Sequence, residues 1–192
     1  MAMPKGFMSM DLFKKIADEA VTLPALSSWA FSALGEPLQD KLLDERISYV
    51  KSLRADWPTE LYTNGVFLTP ARFESLKKAG LDTLSVSLNA VNQKQHEAIM
   101  GIKGKFQLVC DNINYAIKSG GMNILVKAVF NNDTFTRDHQ MDFYLTWGIK
   151  NRPDIKEGYG QCVVERNWAE QTRTIEGVGL NGDPGFDPNS CC

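Results

Sequence analysis

Apolar residues recur at helical spacing through Leu12, Phe13, Ile16, Ala17 and Ala20, with Ser9 just ahead of them and Asp11 in the first turn. That arrangement predicts a helix, because a serine hydroxyl accepts from the open amides of a first turn and an acidic side chain offsets their partial positive charge. The pattern then changes. Trp29 to Leu34 is a short, mostly apolar run stopped by Gly35-Glu36-Pro37, which reads as a buried strand entering a loop. A second helix is expected from about Lys41 to Leu53, with Leu42, Leu43, Ile47, Val50 and Leu53 along one side.

The alternation continues with a strand at Glu60 to Tyr62, a Thr63-Asn64-Gly65 turn, and a helix capped by Thr69, opened by Pro70 and ended by Gly80. Thr83 to Leu88 is the next strand, followed by helices at about Gln93 to Met100 and Lys105 to Lys118, the latter closed by Gly120-Gly121. Met122 to Phe130 reads as a strand, Arg137 to Trp147 as a helix between Thr136 and Gly148, and Gln161 to Glu165 as a weaker last strand. Strands separated by helix-bearing connections imply parallel pairing, so the fold class is α/β with a parallel sheet. From about Asn167 to Cys192, glycines and prolines replace any periodicity, which divides the chain into a folded unit over 1–166 and a tail over 167–192. One expectation comes from order alone: the helix after Ser9 should follow a strand, so the first strand is expected to be missing.

Composition narrows the function classes. The chain has 192 residues, with 21 Lys and Arg against 23 Asp and Glu and a net charge of −2, which argues against nucleic acid as a charge-driven partner. Apolar runs fall far short of the roughly 20 residues needed to span a membrane, and the N-terminus lacks a signal pattern, so a cytoplasmic protein with no membrane partner is expected. The four cysteines, Cys110, Cys162, Cys191 and Cys192, do not show CxxC spacing, and Cys110 lies on an apolar helix face between Phe106 and Ile113 as a small hydrophobe would. His96 and His139 fall on predicted helices and are expected to be surface or half-buried.

In parallel α/β sheets, ligands gather at the C-terminal strand ends, where loops and helix N-termini meet. The polar candidates there are Gly35, Glu36 and Pro37; Thr63, Asn64 and Gly65; Ser87 and Asn89; Lys127, Asn131 and Asn132; and Glu165 and Arg166. Ser85, Ser87 and Asn89 alternate with Leu84, Val86 and Leu88, which aims one polar row to a single face of the sheet.

Gly35-Glu36-Pro37-Leu38, Tyr62-Thr63-Asn64-Gly65 with Leu68-Thr69, and Ala79-Gly80-Leu81-Asp82 leading to Ser85-Val86-Ser87-Leu88 stand in the order and spacing of radical S-adenosylmethionine enzymes. The resemblance runs from about Phe7 to Glu165 and implies a partial TIM-like (β/α)6 barrel. It also implies S-adenosylmethionine and a 4Fe-4S cluster as cofactors. By the same resemblance Gly35 and Glu36 receive the cofactor's amino group, Ser87 its ribose or carboxylate, Asn64 and Asn89 line the site, and Lys127 pairs with the cofactor carboxylate. The family's CxxxCxxC, whose three thiolates hold the cluster, is absent from this sequence. Asn189-Ser190-Cys191-Cys192 resembles the start of a cysteine-rich, SPASM-like extension, in which Cys191 and Cys192 would ligate an auxiliary cluster. The resemblance therefore implies a truncated radical-chemistry enzyme that does not cleave the cofactor reductively as it stands. The alternative is a non-catalytic α/β binding or scaffold module of the same fold. The substrate implied is a peptide or a small molecule, and the exposed edge of the Trp29 strand is expected to favour a dimer.

Overall fold

The computed structural model describes residues 6–32, 35–130, 137–147 and 160–166. Five strands, β1 (Trp29–Phe31), β2 (Thr59–Thr63), β3 (Thr83–Ser87), β4 (Asn123–Phe130) and β5 (Gly160–Arg166), form one sheet in the order β1-β2-β3-β4-β5, and every pairing is parallel. Helix α1 (Met10–Ala20) precedes the sheet. The connections carry α2 (Leu43–Leu53), α3 (Pro70–Ala79), α4 (Gln93–Met100) with α5 (Phe106–Ser119), and α6 (Arg137–Trp147). Sequential parallel order with a helix in each connection is the repeat of a TIM-like barrel, here seen as a partial one. No helix among the described residues is long and apolar enough to cross a membrane.

Local chemistry sets the element ends. Ser9 accepts from the Leu12 amide and Thr69 from the Arg72 amide, Pro70 occupies the first turn of α3, and Gly80 closes that helix at φ 93°. Expected and observed bounds agree closely for α4 and α6. The expected strand over Trp29 to Leu34 is shorter, ending at Phe31, and Ala33 and Leu34 lie outside the described residues.

The helices cover one face of the sheet. Leu61, Leu84, Val86, Ile124, Val126 and Ala128 point into a core shared with Phe13, Ala17, Ile47, Val50, Phe73, Leu76, Val109, Ile113 and Ala116. At the β1 edge, Trp29 stacks near Trp57 at 6.3 Å and meets Phe13 edge-on at 5.7 Å. The stripe read on α1 is buried in part: Phe13 and Ala17 are covered, whereas Leu12 and Ile16 are 49% and 40% exposed. The reason is geometric, since β1 has a neighbour on one side only among the described residues. The opposite sheet face carries Ala30, Glu60, Tyr62, Ser85, Ser87, Leu125 and Lys127, which the parallel register places side by side.

Candidate functional site

The loop after β1 and the turn after β2 are tied together by one carboxylate. Glu36 Oε1 accepts from the Leu38 amide at 3.1 Å, capping the 3-10 turn Pro37–Gln39, and from the Thr63 hydroxyl at 2.6 Å. Its Oε2 accepts from the Asn64 amide at 2.8 Å. Gly35, just before it, adopts φ 116°, a conformation open to glycine, so the chain turns sharply into the Glu36 position. In the turn itself, Asn64 Oδ1 accepts from the Val66 amide, and the Thr63 hydroxyl accepts from the Gly65 amide at 3.0 Å. The Gly65 carbonyl in turn accepts from the buried Asn112 side chain of α5 at 2.9 Å.

One strand further, Val86 pairs with Thr63, so Ser87 stands one residue beyond that level toward the same end of the sheet as Glu36. Its hydroxyl has no hydrogen-bond partner among the described residues, and it is half-buried. Asn89 sits at φ 53°, its backbone amide donates to the Lys127 carbonyl, and its side chain donates to Met100 Sδ. Gly35, Glu36, Asn64, Ser87 and Asn89 thus belong to adjoining strand ends. Asn131 and Asn132 lie outside the described residues, as do Cys191 and Cys192.

Lys127 takes a different direction. Level with Ser87 in the register, it is buried and reaches back across β3, with Nζ 3.5 Å from the Tyr62 hydroxyl, 4.4 Å from that ring's centre and 3.6 Å from Glu60 Oε1. Ser85 donates to the same Glu60 oxygen. Desolvation raises the Tyr62 phenol above its ordinary range, helped by its hydrogen bond to Glu60 and opposed by the Lys127 charge. The polar floor of this face is therefore Glu60, Tyr62, Ser85 and Lys127. Glu60 and Tyr62 lie outside the strand-end candidates of the sequence, although their alternation with Thr59, Leu61 and Thr63 is a signal that they share a face.

Among the described residues, no three His, Cys, Asp or Glu side chains gather in a metal-holding group. Cys110 is buried, as its place on α5 suggested, and burial pushes its thiol up to about 11, which keeps it protonated at neutral pH. Cys162 pairs through its backbone with Val126 in the sheet.

His96 corrects the expectation of a surface or half-buried ring: it is 0% exposed, 5.8 Å from the Phe106 ring centre, and neither ring nitrogen has a partner in hydrogen-bonding geometry among the described residues. Burial pushes its imidazole below the ordinary range. An unfolded histidine takes up a proton near pH ~6.5, so below that pH the unfolded chain binds the extra proton and the folded one does not. Stability contributed at this position is complete above the unfolded value and falls as pH drops toward the depressed folded one. Urea unfolding at about pH 7.5 and about pH 5.5 is expected to show a loss of stability that His96→Leu reduces; equal losses in both proteins would show that His96 is not the cause.

The family model described as "Radical SAM superfamily" matches residues 3–135. The chain is 30% identical to a GTP 3',8-cyclase of Klebsiella pneumoniae over 151 residues, covering 74% of this chain and 41% of that protein. It is 29% identical to the PqqA peptide cyclase of Granulibacter bethesdensis over 181 residues, covering 85% and 47%. The chain thus spans less than half the length of these relatives. Among solved structures, Streptococcus suis SuiB bound to S-adenosylmethionine superposes with a TM-score of 0.65 at 17% identity, covering 92% of this chain and 37% of that one, a likeness of fold.

Proposed function

This chain belongs to the radical SAM superfamily, and from that premise we propose that it forms the S-adenosylmethionine-binding wall of a longer enzyme of the family. The observation that carries the reading is the state of Glu36. A carboxylate offers about four acceptor positions; the Leu38 amide, the Thr63 hydroxyl and the Asn64 amide take three, two on Oε1 and one on Oε2. The carboxylate is held in one orientation with an acceptor position remaining on Oε2, and an ammonium group is the ligand that a fixed anion suits best.

The α-ammonium of S-adenosylmethionine is such a group. In this reading Gly35 gives the loop its close approach, and Asn64 and Asn89 border the ligand. Ser87 offers its hydroxyl to the ribose or carboxylate. Lys127, Glu60 and Tyr62 lie deeper on the same face, where a polar peptide or small molecule would meet both signs of charge. In complete enzymes of the family an iron–sulfur cluster supplies the electron that splits the bound cofactor. In our reading the part taken by this chain's own residues is to bind and orient the cofactor, with Glu36 fixed by Thr63 and Asn64.

Calorimetric titration of the chain with S-adenosylmethionine tests the reading. The wild type is expected to bind, with Ser87→Ala weakening affinity about tenfold, the size of one lost hydrogen bond to a charged or well-ordered group. Absence of binding by the wild type, or identical affinity in Ser87→Ala, would overturn it.

A further inference from the structure

We propose that Thr63, which need not touch the ligand, is a positioning residue that sets the direction of the Glu36 carboxylate; the inference rests on the cofactor reading above. Thr63 is 3% exposed and lies in the alternation of β2 with Thr59 and Leu61, on the helix-covered face. Its hydroxyl has one proton to give. Because the Gly65 amide donates to the Thr63 oxygen, that proton is directed away from the turn, toward Glu36 Oε1. The Gly65 amide is itself fixed, since its carbonyl is held by Asn112 from the core of α5. A continuous set of hydrogen bonds therefore runs from α5 through the Gly65 turn and Thr63 to Glu36, joining residues 47 and 27 positions apart in the sequence.

Thr63→Val keeps the shape of the side chain and removes the proton and the acceptor. Glu36 then keeps its amide donors but loses its shortest orienting bond, that from the Thr63 hydroxyl at 2.6 Å, and the remaining acceptor position on Oε2 is no longer held toward an ammonium. The cost should appear only for ligands that carry that ammonium.

The experiment titrates wild type, Thr63→Val and Thr63→Ser with S-adenosylmethionine and with 5′-methylthioadenosine, which lacks the amino-acid part. Thr63→Val is expected to bind S-adenosylmethionine about tenfold more weakly while binding 5′-methylthioadenosine as the wild type does, and Thr63→Ser is expected to restore most of the loss. Hydrogen exchange of the Leu38 and Asn64 amides is expected to accelerate in Thr63→Val without ligand. Unchanged affinity for S-adenosylmethionine, or equal weakening of both ligands without rescue by serine, overturns the inference. If the wild type binds neither ligand, the cofactor reading fails, and unchanged amide exchange in Thr63→Val would then overturn the positioning role as well.

Discussion

Asp40→Ala is expected to cost about 3–5 kcal/mol, more than the reverse deletion Arg46→Met, because it strands a charge that the fold has taken out of water. Arg46 is 4% exposed; its Nε donates to Asp40 Oδ2 at 2.8 Å, one terminal nitrogen donates to the Met8 carbonyl, and the guanidinium lies 4.9 Å from the Phe13 ring centre. Without Asp40 that cation keeps a single carbonyl and a ring face. Asp40 also caps the Leu42 amide at 2.9 Å and closes the 3-10 turn that begins after Glu36. The effect should therefore reach the site, through the loop whose two ends are Glu36 and Asp40. Arg46→Met removes the buried charge along with the pair, leaving Asp40 with the Leu42 amide and its own partial exposure. Urea midpoints for the two variants decide the matter: a larger loss for Arg46→Met than for Asp40→Ala would mean that the pair is held by packing and not by charge.

Gly65→Ala is expected to lose about 2–4 kcal/mol, the sum of a left-handed backbone conformation unfavourable for alanine and of overpacking. Gly65 has φ 77°, and a Cβ there would lie 2.9 Å from Val109 Cγ1 and 2.9 Å from Val86 Cγ1. Both valines are 0% exposed, so neither has room to withdraw. Because the Gly65 amide and carbonyl hold Thr63 and Asn112, the turn cannot shift without loosening Glu36. Thermal unfolding measures the cost, and a variant as stable as the wild type would show that the turn relaxes independently of α5 and β3. Against total stabilities of roughly 5–15 kcal/mol for domains, either substitution alone is a large fraction.

Much of this architecture is legible in the sequence itself. Ser9, Thr69, Pro70 and Gly80 act within three or four residues of themselves, so their roles as caps and stops can be read from neighbours along the chain. The strand-helix alternation required parallel pairing, and parallel pairing brought the candidates at Gly35, Glu36, Asn64, Ser87 and Asn89 to one end of the sheet. Tertiary structure decided what those side chains do. Glu36 meets Thr63 across 27 residues, Asn112 meets Gly65 across 47, and Lys127 meets Tyr62 across 65. Such contacts exist once the sheet register is set, and no local periodicity encodes them. Lys127 turned back toward Glu60 because a buried ammonium gains more from a carboxylate and an aromatic face than from an open strand end. His96 disappeared from solvent because α4 lies against α5 at Phe106, a packing that the polar residues surrounding it in Gln93–Met100 conceal. The sequence determined which elements form and which end of the sheet gathers the polar candidates; the three-dimensional packing determined the partner of each polar group, because hydrogen bonds and ion pairs depend on ångström-scale distances between segments remote in the chain.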